Sequence, residues 1–435
     1  MTTDRPRAKS FIRKAMVVGA LALIPAAGQG QTPVPIPVPM KPAPARIQPA
    51  KPQPAARKTL TVGECIAIGL DRQPAMKAAL ESLHSAELGK KALDNLPLIA
   101  GVVRPDLDFR KQAARRGVDV ASAAVLKTHD EIIYDIGYLY FTYVYAHQQD
   151  TIVTDLVEQL GQIKKLIEDL LKSAVPDPRV TKLTLLQIND GLGQIQTLQS
   201  TARAGKKVAL AALKEAMGVD PSFDFVPREV ELPLMKGTTT LDQVVDLALS
   251  RRPELAMMAG GVDAFRLEVE SQNKFRYRLI VQTLASGADL HSTAIPNAMR
   301  NGEYKPAPIV PEMPPSLLGS RQERVSRACS ISLRQDAGYE KLVNLVRLEA
   351  TKAFLTWQQD AETLVVATMR FNNAREMMNL AKSTQNLDKE KLIQYMVTAG
   401  KAQSDYLTAA HNYVKSLLVL ERVTSGGVRP AFPGK

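Results

Sequence analysis

Hydrophobic positions in this chain recur at steps of three and four over long stretches, the spacing of one face of an α-helix. Leu156, Leu160, Ile163, Ile167 and Leu170 form one stripe, and beyond residues 175–178, which read VPDP, the series Ile188, Leu192 and Ile195 continues it. Ala361, Leu364, Thr368, Phe371, Ala374 and Met378 form a second stripe, answered by Leu407, Ala410, Val414 and Leu417. Each stripe is narrow, which suits one helix lying along another better than the broad face of a globular core. The pattern predicts a mainly α chain with two long antiparallel helical hairpins.

The two hairpins belong to an internal duplication. Residues 60–74 align with residues 239–253 at an offset of 179, so that Thr61, Leu70, Arg72 and Pro74 meet Thr240, Leu249, Arg251 and Pro253. In each copy the Thr is placed as a helix N-cap and the Pro as a helix stop. Farther on, Phe141, Thr142 and Tyr143 meet Leu355, Thr356 and Trp357 at an offset of 214, and Lys182, Leu185, Leu186 and Gln187 meet Lys389, Leu392, Ile393 and Gln394 at 207. The second copy has therefore gained 35 residues before its hairpin and lost 7 at the hairpin tip. Seven residues is one heptad, a change that keeps the helix contact face in register. The expected organisation is a first repeat over 59–220, a linker over 221–238, a second repeat over 239–427 with an irregular insertion at 275–336, and a tail at 428–435.

The N-terminal region is of another kind. Basic residues through Lys14, an apolar run over 15–24 and then Pro25, Ala26, Ala27 and Gly28 read as a secretory signal over residues 1–30. Nine prolines within 31–58 exclude helix and sheet there and predict an extended linker. These two segments also explain the charge. The chain of 435 residues has a net charge of +12, but residues 1–30 contribute +4 and 31–58 contribute +5, leaving +3 for the rest. A nucleic-acid groove loses its support. No segment reaches the roughly 20 apolar residues of a membrane-spanning helix. The two cysteines, Cys65 and Cys329, define no disulfide framework, and Cys65 among Ile66, Ile68 and Leu70 reads as a small core residue.

With its order of motifs, the chain resembles the TolC-like outer-membrane efflux proteins. The two repeat openings, Arg252 to Leu255 reading RPEL, residues 180–187 reading VTKLTLLQ and residues 422–427 reading RVTSGG carry that resemblance, which spans about residues 59–427. It implies a TolC-like α-barrel protomer in a homotrimer, working as a passive exit duct for small molecules or polypeptides in an efflux or type I secretion system. It also implies an outer-membrane location, a periplasmic adaptor and an inner-membrane transporter as partners, and no cofactor. The sequence departs from the family where two membrane strands should precede each hairpin. A membrane strand needs roughly 9 to 11 residues, and only residues 98–104 stand between Pro97 and Pro105. Residues 276–284 offer one strand in the second half, but the prolines of 307–315 break a successor. The β content is expected to be small, and a periplasmic helical scaffold without a pore is the alternative reading.

Candidate functional residues are few. Near the hairpin tips stand Asp177, Arg179, Asp388, Lys391 and Gln394, placed to line an aperture, to meet an adaptor, or simply to be solvated turn residues. Some family members carry a D-V-L-D type stretch there, whereas residues 391–394 read KLIQ, so no acidic ring is expected. Tyr138, Tyr140 and Tyr143 lie in a dense aromatic run that suits either a membrane interface or packing against Phe354 and Trp357. Five scattered histidines, with no metal-ligand spacing, and the lack of a phosphate loop, a nucleophile elbow or an HExxH motif argue against an enzyme and against a metal site.

Overall fold

The computed structural model describes residues 58–172, 181–235, 237–274, 320–383 and 389–429, all within one structural unit, residues 56–435. The predicted signal, the Pro-rich linker, the strand at 276–284 and residues Asp177, Arg179 and Asp388 lie outside the described residues. The element order is β1 (Lys58–Leu60), α1 (Val62–Arg72), α2 (Pro74–Asp94), α3 (Leu98–Val103), α4 (Leu107–Lys172), α5 (Lys182–Ala216), β2 (Phe225–Pro227), α6 (Leu241–Arg251), α7 (Pro253–Lys274), α8 (Arg321–Ser383) and α9 (Lys389–Val423).

Local chemistry starts and stops these helices where the duplication says it should. Thr61 accepts from Glu64 N at 3.2 Å while Glu64 accepts from Thr61 N at 2.8 Å, and Thr240 and Gln243 repeat the reciprocal pair at the head of α6. Such boxes contribute about 1 kcal/mol each. Gln73 and Arg252, the residues before the prolines, both take extended backbone with ψ 123. Each proline therefore closes one helix and opens the next, because its ring disfavours helical backbone behind it while suiting the first helical position ahead. Thr181, paired with Thr184, caps α5 in the same way.

The hairpins are as expected: α4 has 66 residues and α8 has 63, each followed by an inward helix of 35. At 1.5 Å per residue α4 is about 100 Å long. One expectation is corrected. Residues 321–336, read as the end of an irregular insertion, are the first turns of α8, and Ser320 with Glu323 forms a capping box that marks this start.

The two short strands pair in parallel, Lys58 with Phe225 and Leu60 with Pro227. They tie the entrance of the first repeat to the linker between repeats, a pairing the periodicity did not reveal. Tyr140 closes this junction from α4. Its hydroxyl donates to the Leu60 carbonyl at 2.9 Å and accepts from the Arg228 amide at 3.0 Å, inside a core that includes Ile136, Phe141, Val144, Leu213, Phe225 and Val414. A second core gathers Val244, Ala248, Met258, Val346, Ala350 and Leu420 around the second repeat. Trp357 packs on both, and Gly237 passes so close to its indole that a Cβ there would meet the ring at 2.9 Å.

Both cysteines are free, and Cys65 is fully buried, with its thiol pushed up to about 12 by burial first and then by Glu229 and Glu64. Tyr140→Phe keeps the ring and strips the hydroxyl from the junction, leaving the Leu60 carbonyl and the Arg228 amide without it. Because the Arg228 amide also donates to the Leu60 carbonyl at 2.8 Å, the expected cost is about 0.5–1.5 kcal/mol, read as a lower denaturant midpoint with an unchanged slope.

Candidate functional site

The walls of the two hairpins are built differently. Along α4 and α5 the seam is aliphatic: Val153, Leu160 and Ile195 pack with Leu156 and Leu192, and Ile167 packs with Ile188. Along α8 and α9 it is mostly alanine. Ala367, Ala374 and Ala381, seven residues apart, are buried, Ala399 and Ala402 of α9 meet Ala374, and Phe371 stacks on Tyr406 at 5.5 Å. The expected stripes are thus real contact seams between packed helices.

A third seam joins the halves. Leu418 on α9 lies so close to Gly137 on α4 that a Cβ there would stand 3.1 Å from it, and Leu156 lies still closer to Gly400. Between those points polar contacts are set among the buried apolar side chains of the seam. Gln149 donates to the Ser404 carbonyl at 3.2 Å and accepts from the Ser404 hydroxyl at 3.0 Å. His411 stacks on Tyr145 at 4.4 Å and meets the Thr142 hydroxyl at 3.2 Å. Burial, helped by nearby Lys415, pushes His411 down to about 3, so it is neutral at ordinary pH.

Two ionic knots hold the helix starts. Arg252 pairs with Glu254 and, most closely, with Glu349 of α8, and Glu349 also accepts from Arg422 of α9 at 2.8 Å. Burial opposes the charge on Arg252, but Glu349 and Glu254 win and hold its guanidinium ionised. Gln73, the repeat equivalent of Arg252, donates instead to the carbonyls of Glu215 and Ala216 at the end of α5. At the start of α4, Arg110 bridges Asp106 and Glu268 of α7, and Arg324 of α8 reaches Gln272 at 3.0 Å.

Of the predicted site residues, Lys391 and Gln394 are exposed on the first turns of α9. Tyr140 and Tyr143 are buried, which corrects their reading as membrane-interface aromatics; their run is a packing core, with Trp357 against it. Tyr138 is half-buried under Lys415, whose ammonium lies 5.4 Å from the ring centre.

What periodicity overlooked is a second stripe on α8. Leu348, Leu355, Val366, Met369, Met377 and Leu380 are all exposed, Leu355 by 53%, and at 100° per residue they share one face with Leu333 and Val365. That face lies about a third of a turn round the helix from the alanines buried on α9 and runs over about 70 Å. Among the described residues no helix is long and apolar enough to cross a membrane, and no group of three or more His, Cys, Asp or Glu side chains is arranged to hold a metal ion.

No family model matches the chain, and no curated protein matches it. Solved structures do. The open state of the Neisseria gonorrhoeae MtrE outer membrane channel aligns at 12% identity over 85% of this chain and 89% of that one, with a TM-score of 0.65. A membrane protein from Pseudomonas aeruginosa aligns at 13% over 88% and 99%, with a TM-score of 0.63. The outer membrane protein VceC from Vibrio cholerae aligns at 12% over 85% and 97%, with a TM-score of 0.62. The chain has the TolC-like fold, mainly α with few strands.

Two predictions test the seams. Glu349→Ala leaves Arg252 with Glu254 alone and removes the carboxylate that Arg422 reaches, and should cost about 1–3 kcal/mol in denaturant unfolding, with Glu349→Gln milder. His411 has a lowered folded pKa, so its contribution is complete above 6.5 and is lost as pH falls toward 3. His411→Gln should flatten the loss of melting temperature across that window.

Proposed function

We propose that the chain is one protomer of an oligomeric exit duct of the outer membrane and periplasm, through which small molecules or polypeptides pass without a cofactor. The observation that carries this reading is the exposed apolar face of α8 on a TolC-like fold. Within the chain α4 is covered by α9, whereas α8 packs extensively only on α9, α7 and α6. The duplication makes α8 the counterpart of α4 and α5 the counterpart of α9. The α8 face therefore calls for an α5 from a second copy, and α5 exposes Leu183, Leu186, Leu198 and Val208. Repeating that heterologous contact closes a ring, and a homotrimer served by a periplasmic adaptor and an inner-membrane transporter fits the fold. The tip residues Asp177, Arg179, Asp388, Lys391 and Gln394 would stand at its narrow end.

A second reading, a periplasmic helical scaffold without a pore, draws on α3. That six-residue helix occupies the first-half position where a strand pair would have to enter a barrel.

Two measurements separate these readings. Cell fractions washed at high pH should keep the chain in the outer membrane until detergent is added, and release by the wash alone would sink the duct. Leu355→Asp combined with Val366→Asp changes only exposed side chains, so the fold should survive while association weakens by at least about tenfold. A wild-type chain that is monomeric by light scattering in detergent, or a double variant that assembles unchanged, would overturn the ring.

A further inference from the structure

We propose that the turn joining α2 to α4 is a lipid-contact tip that seats each protomer on a bilayer surface bearing anionic headgroups; the proposal rests on the duct reading for placing this end of the protomer at a membrane. Residues 95–103 hold no charged side chain, and Leu96, Leu98, Ile99, Ala100, Val102 and Val103 are apolar. Ala100 packs inward on Leu93, Leu107 and Ala114, which pins the turn to α2 and α4. Val102 does the reverse. At 84% it is the most exposed large hydrophobic side chain among the described residues, and Leu96 is 37% exposed.

A lone exposed valine would mean little, but this one crowns a cationic collar. Residues 88–116 contain seven Lys and Arg against three Asp. Of those acids, Asp106 is buried and bonded to Arg110 and Ser271, and Asp94 lies 3.9 Å from Lys90. Lys91 and Arg115 are exposed, whereas Arg116 is paired with Asp119 at 3.3 Å and with Asp263 at 3.4 Å. An apolar tip above a cationic collar partitions into the interface of an anionic bilayer, where the tip leaves water and the collar meets headgroups. A second copy is a poor occupant, since two such turns would bring like charges together.

The test is cosedimentation of the exported chain, purified from producing cells, with phosphatidylcholine vesicles and with vesicles doped with phosphatidylglycerol. The expected result is at least about tenfold tighter binding to the doped vesicles at low salt, fading as salt screens the collar. Val102→Asp should weaken binding by about tenfold or more. Lys91→Gln with Arg115→Gln should weaken it by about tenfold on doped vesicles and leave the neutral ones unchanged. Equal binding to both vesicles overturns the proposal, as does unchanged binding of both variants. Light scattering run alongside separates the two readings: an assembled chain that ignores doped vesicles sinks the tip alone, and a monomeric chain that binds them as described sinks the duct alone.

Discussion

The close seam between α4 and α9 is the contact on which the rest of the structure depends. A single helix of 66 residues has no tertiary stability of its own, and its neighbours must cover it on more than one side. α4 is covered by α2 and α5 from its own repeat and by α7 and α9 from the other, and the contact with α9 is what joins the two hairpins directly. The approach of Leu418 to Gly137 and of Leu156 to Gly400 allows no larger residue at either glycine without displacement. Between them, the paired bonds of Gln149 with Ser404 and the stacked, neutral His411 fix the register, because a slip of one residue would leave buried polar atoms unpaired.

The duplicated elements kept their backbone and exchanged their chemistry. Gln73 and Arg252 share the same extended conformation before a proline, yet one satisfies helix-end carbonyls and the other neutralises a buried carboxylate. The helix ends tell the same story. Gly218, with φ +63, ends α5 in a turn where the Val219 amide reaches back to Lys214, and Ser425, its equivalent at the 207 offset, ends α9 the same way at φ 46. A serine tolerates that backbone less readily than glycine. Here its hydroxyl donates to Asp130 at 2.5 Å, which ties the end of α9 to α4.

This pattern of kept backbone and changed contacts decides what could be read from sequence. Helix starts at Thr61 and Thr240, the proline stops and the hairpin seams were legible because each depends on residues within four positions of one another. The start of α8 was equally local in Ser320 and Glu323, but the proline-rich residues before it drew the boundary too late. The β1–β2 pairing, the Tyr140 clasp and the Arg252–Glu349 pair were not legible, since each joins residues 80 or more positions apart whose partners no periodicity announces. The aromatic run illustrates the limit well. Its composition suited both a wet boundary and a dry core, and only the placement of α9 and of residues 225–232 set Tyr140 in a buried core.

The outer half of α8 inverts the usual distribution of side-chain size. A helix that completes its folding within one chain turns its larger apolar residues inward, because burial of each Val, Leu or Met is worth about 1.5–3 kcal/mol. α8 instead buries Ala367, Ala374 and Ala381 and leaves Val366, Met369, Met377 and Leu380 in solvent. Covering that exposed set, with Leu355 and Leu348 farther along, would yield on the order of 10 kcal/mol. That is comparable to the whole stability of a typical domain. Alanines on the inner side let α9 approach closely and cost little when they do so; the larger residues are held on the side that the chain itself never covers. The apolar face of α8 is thus half of a contact whose other half the duplication locates on α5, and a single chain cannot bring its own α5 there because α4 and α9 already lie between them.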